Sequence, residues 1–117
     1  MSSCELCTPV NLVAENDLAY AALEKNSLSP GHTIVVPKRH VADFFDMTPE
    51  EQGALLALLR EARQIVQKRH SPDGYNIGAN VGAAAGQSRM HVHFHLIPRY
   101  RGDVADPRGG IRCVLKR

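Results

Sequence analysis

The residues with the clearest chemical capacity lie in one stretch, His91-Val92-His93-Phe94-His95-Leu96-Ile97-Pro98-Arg99. Three of the six histidines recur there at every second position, separated by Val92, Phe94 and Leu96. That period-two pattern predicts a half-buried β-strand with all three imidazoles on one face. Packing the apolar face into a core would hold the rings on a rigid element, as a reactive site requires. Two chemistries suit such a row. Three imidazoles bind a catalytic metal whose water becomes the nucleophile, or one imidazole attacks an electrophile while its neighbours orient it and neutralise charge. Spacing alone does not separate them.

A second reactive group opens the chain. Cys4-Glu5-Leu6-Cys7 has the spacing of two thiolates converging on one zinc ion, and a structural zinc takes four ligands. His40 and one histidine of the triplet would complete such a set. A thioredoxin-like redox pair is the competing reading, but that pair usually opens a helix, and Pro9 interrupts one here. Between these groups lies Gly82-Ala83-Ala84-Ala85-Gly86-Gln87-Ser88, whose small residues allow backbone N–H groups to approach a phosphate. It ends just before His91, so Gln87 and Ser88 are expected beside the histidine face. Arg99 and the basic tail downstream add positive charge, and together these features favour a phosphorus electrophile, since phosphoryl transfer relies on positioning and charge stabilisation.

The elements that must position these groups follow from local patterning. Asn11 to Ala14 and Leu18 to Leu23 read as a hairpin around Glu15-Asn16-Asp17. His32 to Val36 is a β-branched strand ended by Pro37. Thr48-Pro49-Glu50-Glu51 is a capping box with proline at the first helical position, starting a helix to about Lys68. Leu55, Leu58, Leu59, Ala62, Ile65 and Val66 form its buried stripe, leaving Arg60, Glu61 and Lys68 in water. Tyr75 to Val81 reads as a further strand, Ile111 to Leu115 as a possible short one, and Cys113 as a lone buried thiol.

Length and composition bound the function. The 117 residues, 44% hydrophobic, suit one compact domain. With no Trp and 5% aromatic content, stacking platforms for nucleic acid are scarce. No apolar run approaches a membrane span, and no signal peptide is apparent, so a cytoplasmic protein without membrane or nucleic-acid partners is expected. The odd cysteine count, with a C-x-x-C pair, also fits metal or redox chemistry better than a disulfide framework. The formal charge is +2, yet residues 99–117 carry Arg99, Arg101, Arg108, Arg112, Lys116 and Arg117 against Asp103 and Asp106. Such a tail either attracts an anionic ligand or is simply a solvated surface.

The histidine stretch resembles the signature of the histidine triad family of nucleotide hydrolases and transferases, H-φ-H-φ-H-φ-φ with φ apolar. Gly82 through Ser88, Asn80, and Pro30-Gly31-His32 leading to Val35-Val36-Pro37-Lys38-Arg39-His40 match the family's spacing, so the resemblance covers nearly the whole chain. It implies an α+β fold, an antiparallel sheet of about five strands with one long helix packed on it, paired as a homodimer. One triad domain would span residues 1–117, with residues 1–10 as a zinc-binding segment and 100–117 as a basic tail.

The resemblance also implies roles. His93 would attack the α-phosphorus of a purine dinucleoside polyphosphate or nucleoside phosphoramidate and form a nucleotidyl-histidine intermediate. His95 would contact phosphate, His91 would fix the geometry, and His32 would support the triad by hydrogen bonding. Gln87 and Ser88 would bind phosphate or leaving-group oxygens, and Asn80 the ribose and phosphate end. Cys4, Cys7, His40 and His91 would bind structural zinc, as in the related uridylyltransferases. Where many members carry Phe-Leu-Asp to grip the ribose, this chain has Ala22-Leu23-Glu24, a carboxylate one methylene longer. The tail is similar to that of bacterial members often named diadenosine-polyphosphate hydrolases. A zinc enzyme built on His91, His93 and His95, and a nucleotide-binding module with little turnover, are the alternatives.

Overall fold

A computed structural model describes residues 4–116, with side chains as far as residue 113. Residues 1–3, Arg117 and the Lys116 side chain, which the zinc segment and basic tail above include, lie outside the described residues. Five strands, β1 (Leu12–Glu15), β2 (Ala19–Leu23), β3 (Thr33–Pro37), β4 (Gly74–Gly78) and β5 (Phe94–Arg99), form one antiparallel sheet. Their order across it is β1-β2-β3-β5-β4. One long helix, α1 (Pro49–His70), packs on a single face. This is the α+β architecture expected from the sequence.

Strand alternation divides the sheet chemically. Ala19, Ala21, Val35 and Leu96 point toward Leu55, Leu58, Ala62 and Val66 of α1 and make the main core. Each fully buried leucine or valine there contributes about 1.5–3 kcal/mol relative to exposure. Tyr20, Ala22, Ile34 and Val36, one residue out of phase, face the other way and form a smaller cluster with Leu6 of the N-terminal turn. His95 lies opposite Ile34 in the ladder and so belongs to this second face.

The expected caps form. Thr48 Oγ1 accepts from the Glu51 amide, and the Glu51 carboxylate accepts from the Thr48 amide, closing the capping box. The buried Glu51 side chain also takes both arms of Arg39, each at 2.8 Å. Arg39 and the Thr48 amide hold the Glu51 carboxyl down at about 2. This fork ties the start of α1 to the residue beside His40. At the other end of α1, a Cβ on Gly31 would come within 2.8 Å of the His70 ring. Glycine at φ +89° therefore lets the chain pass beneath the helix end and deliver His32 to β3.

Besides shifts of one or two residues at other element ends, three elements differ from the sequence expectation. Strand β5 begins at Phe94, so only His95 of the triplet lies in the ladder. Val92 instead donates to the Val41 carbonyl at 2.8 Å, and pairing with β3 and β4 stops at Phe94 and His95. Strand β4 ends at Gly78 rather than Val81, because its last pairing is with His95. The segment after Gly109 is a 3-10 helix, Gly110–Lys116, not a strand. Gly109 and Gly110 both take positive φ, and the Gly110 and Arg112 amides close tight turns onto Pro107 and Gly109. Cys113 is half-buried rather than buried, with its thiol against the Arg108 carbonyl.

Candidate active site and metal centre

The alternation of the histidine stretch survives outside the ladder, with Val92 and Phe94 packing on the helix side. The three imidazoles do not converge on one point, however, and each has a different partner. The buried His91 ring donates from Nε2 to the Pro37 carbonyl at 2.7 Å, which leaves its Nδ1 lone pair 3.4 Å from Cys4 Sγ and 3.6 Å from Cys7 Sγ. The His40 Nδ1 lies 3.2 Å from Cys7 Sγ. Cys4, Cys7, His40 and His91 place four ligand atoms within 4.8 Å of one another. Tetrahedral zinc with bonds of about 2.3 Å to sulfur and 2.0–2.1 Å to nitrogen needs S···N edges of about 3.5 Å. The donor set and its spacing therefore fit a closed metal site. The Pro37 carbonyl supplies the outer hydrogen bond that fixes the His91 tautomer for metal.

His93 behaves differently. Its Nδ1 lies 2.9 Å from the His91 carbonyl. A carbonyl only accepts, so the proton sits on Nδ1 and the lone pair on Nε2. Burial pushes the His93 imidazole below its ordinary pKa, which keeps it neutral and that lone pair available at physiological pH.

A second chain of bonds orders His32 and His95. The Leu28 amide donates to His32 Nδ1 at 3.0 Å, so the His32 proton sits on Nε2 and is donated to His95 Nδ1, also at 3.0 Å. His95 then carries its own proton on Nε2. Burial, followed by the neighbouring His93 and His32, takes the His95 pKa down to about 4, and burial lowers His32 as well. The His95 ring lies 5.1 Å from the His93 ring at a steep angle. The site thus places a lone pair on His93 beside an N–H on His95, a nucleophile next to a hydrogen-bond donor.

These bonds count against a zinc cage made of His91, His93 and His95, because the lone pair left on His91 faces Cys4 and Cys7 and the outer nitrogen of His95 carries a proton. Glu24, His32 and His95 also gather ligand atoms within 4.8 Å. There, too, the Leu28 amide occupies one His32 nitrogen and leaves a proton, not a lone pair, on the other.

The glycine loop is closed by its own hydrogen bonds. Gly82 and Gly86 take positive φ around a 3-10 turn, Ala83–Ala85. Gln87 Oε1 accepts from the Gly82 amide, and its Nε2 donates to the Ala42 and Arg89 carbonyls. Both ends of this buried amide therefore cinch the loop and pin it to residue 42. Gln87, expected to contact phosphate, braces the loop with its buried side-chain amide, which is stable because its donors and acceptor are satisfied. Ser88 and Asn80 are exposed near this loop and close to β4, respectively. Within the basic tail, Arg99 is held by Asp103 and Asn76, Arg101 lies beside Asp73 and Arg108 pairs with Asp106.

A cavity of about 170 Å³ opens beside the second sheet face, floored by Leu6, Tyr20, Ala22 and Ile34 and rimmed by Glu5, Glu24, Lys25 and Arg89. Glu24 is buried at 6% exposure, which is tolerable because Arg89 pairs with it at 2.7 Å. Burial pushes the Glu24 carboxyl up, but the Arg89 hydrogen bond and charge with the Asn26 amide outweigh it and hold the group below the usual range. Sequence reasoning missed Arg89. The available signal was its parity, since residues 89, 91, 93 and 95 alternate along one side of an extended segment.

A family model described as HIT domain matches residues 6–102. The chain belongs to the HIT family. It is 39% identical over 93 residues to an AP-4-A phosphorylase of Mycobacterium tuberculosis, a match covering 79% of this chain and 48% of the relative. It is 37% identical over 89 residues to an asymmetrical bis(5'-nucleosyl)-tetraphosphatase of Schizosaccharomyces pombe, covering 76% and 49%. The chain thus spans about half the length of these relatives. Among solved structures, a zinc-bound histidine triad family protein of Mycobacterium smegmatis superposes with a TM-score of 0.80 at 31% identity, covering 89% of this chain and 80% of that one.

The depressed histidines make stability pH-dependent in a defined direction. Unfolded imidazoles protonate near pH 6.5, whereas folded His95 resists protonation down to about 4. The unfolded state therefore binds more protons in this window, so stability is fully present above about pH 6.5 and is lost as pH falls toward 4. The urea midpoint should decline over that range, and less steeply in His95→Asn. An identical slope in the variant would rule out His95 as a contributor.

Proposed function

We propose that this chain is a nucleotide hydrolase or nucleotidyl transferase cleaving at the α-phosphorus of a purine dinucleoside polyphosphate or nucleoside phosphoramidate. Membership of the HIT family supports the general activity. The observation that carries the covalent route is the bond from His93 Nδ1 to the His91 carbonyl, which reserves Nε2 for attack. In this reading the Nε2 lone pair forms a bond to phosphorus as the bond to the leaving group breaks. The electron pair departs on the leaving oxygen or nitrogen. A polyphosphate leaves as an anion, and a departing amine takes its proton from water, the neutral His95 lending its Nε2–H as a hydrogen bond without giving it up. Water then attacks phosphorus, the N–P pair returns to Nε2, and the water proton passes to solvent with release of the nucleoside monophosphate.

The remaining residues bind and position. His95 donates to a phosphoryl oxygen, and His32 holds its tautomer through Leu28. Ser88 and Asn80 meet phosphate and ribose from the exposed side. Glu24 faces the nucleoside in the cavity lined by Ala22 and Ile34. Cys4, Cys7, His40 and His91 hold a structural zinc, which when bound locks the N-terminal turn against the segment carrying His93. The outermost position of β4, with Ile77 exposed, suits pairing into a homodimer.

Intact-mass analysis after mixing with candidate dinucleotides and phosphoramidates should reveal a nucleotidyl adduct on the native chain and none on His93→Ala. Near-normal turnover by that variant would overturn the covalent role, and tight binding without adduct or turnover across the panel would favour a binding module. Elemental analysis should find one zinc per chain, lost in Cys4→Ser with a lower melting temperature; a metal-free native protein of unchanged melting temperature would refute the zinc site. Sedimentation velocity should report the mass of two chains, and a monomer at micromolar concentration would exclude the dimer.

A further inference from the structure

Arg89 takes part in none of the steps above, yet it occupies the rim of the nucleoside cavity. Its guanidinium is largely enclosed and divides its donors between two carboxylates. One arm reaches Glu24 Oε2 at 2.7 Å and the other Glu5 Oε1 at 3.2 Å. Glu5 is itself fixed from the far side by Lys25 at 3.0 Å. The two carboxylates come from different parts of the chain, Glu5 from the Cys4–Cys7 turn and Glu24 from the end of β2. Arg89 is therefore the joint between them.

The arrangement at Glu24 is asymmetric. Arg89 holds Oε2, while Oε1 has only a long contact of 3.4 Å with the Asn26 amide. An ionised carboxylate only accepts hydrogen bonds, so Oε1 keeps acceptor capacity at the cavity wall. The same carboxylate lies within 4.8 Å of ring nitrogens of His32 and His95, close to the reacting phosphorus of the proposed mechanism. At that distance from a phosphate, the part of a nucleotide carrying hydroxyl donors is the sugar. Without Arg89 the buried Glu24 would take up a proton or swing away, since a buried carboxylate needs a partner.

We infer that Arg89 is a specificity-determining positioning residue, which holds Glu24 as a fixed hydroxyl acceptor and so makes the site select ribonucleotides over 2′-deoxyribonucleotides. The inference rests on the nucleotide reading above. A site built around a buried acceptor rejects a ligand lacking the matching hydroxyl, because the acceptor is then left unpaired. Lysine at the same position provides a single point charge that cannot fork across two carboxylates. Glu5, more exposed, acts only by anchoring the guanidinium.

Calorimetric binding of AMP and 2′-deoxy-AMP to the zinc-loaded full chain tests this. The native chain should favour AMP by about tenfold, the scale of one hydrogen bond to a charged group. Arg89→Met should weaken AMP binding by about the same factor and leave 2′-deoxy-AMP nearly unchanged, so that the ratio collapses. Arg89→Lys should restore part of the ratio, and Glu5→Gln, a surface change that leaves Glu24 paired, should lower it modestly. A ratio unmoved in Arg89→Met and Glu5→Gln, or an equal loss for both nucleotides, overturns the role of Arg89 while the nucleotide reading stands. If Arg89→Met does not fold, an unchanged ratio in Glu5→Gln and Arg89→Lys overturns it. Failure of the native chain to bind either nucleotide overturns both.

Discussion

Each imidazole of the triplet has one ring nitrogen committed to a fixed partner, and that commitment decides what the other nitrogen does. The Pro37 carbonyl takes the His91 proton and turns its lone pair toward the cysteines. The His91 carbonyl takes the His93 proton and frees Nε2. The Leu28 amide, acting through His32, leaves His95 a donor on its outer nitrogen. Neutral imidazole has one donor and one acceptor, so fixing one end fixes the other. Burial lowers all four pKa values and prevents protonation from erasing the distinction.

The fold exists, in this sense, to hold backbone carbonyls and amides at defined places around rings. The core between α1 and one sheet face supplies rigidity, and the opposite face carries the chemistry. Arg39 joins the capped start of α1 to the residue next to His40, and Gly31 lets the helix end sit directly over the approach to His32. Gln87 closes the loop before the triplet and pins it to Ala42, while Val92 bonds to Val41. His91 is thereby shared between two centres, its ring facing the cysteines and its carbonyl facing His93. The Cys4, Cys7, His40 and His91 cluster and the His93 ring are thus neighbours through one residue.

Composition alone did not show which groups of the loop and tail are already paired. Glycines and alanines before the triplet suggested amides free for phosphate, but Gln87 and the loop's own turns take up several of them. Of the six cations in the tail, read as either an anion-attracting or a solvated surface, Arg99, Arg101 and Arg108 pair with Asp103, Asp73 and Asp106. The chain also carries a charged residue whose partners lie 65 and 84 positions away, and no local pattern identifies such a pair. Only the parity of Arg89 with the histidines hinted at which side it occupies.

The sequence by itself determined most of the elements and, apart from Arg89, which side chains gather around the histidines. Period-two spacing, the Thr48 capping box, the apolar stripe of α1 and the C-x-x-C pair are local rules, satisfied whatever the rest of the chain does. Tertiary structure alone decided the roles within that membership. Which nitrogen of a histidine holds its proton depends on where the fold puts a hydrogen-bonding partner, whether distant in sequence, as Pro37 is for His91 and His32 for His95, or near, as Leu28 is for His32 and the His91 carbonyl for His93. It likewise decided where the strand begins, because a ladder ends where its partners turn away. The row of three similar imidazoles gained three different hydrogen-bonding states only once those partners were in place.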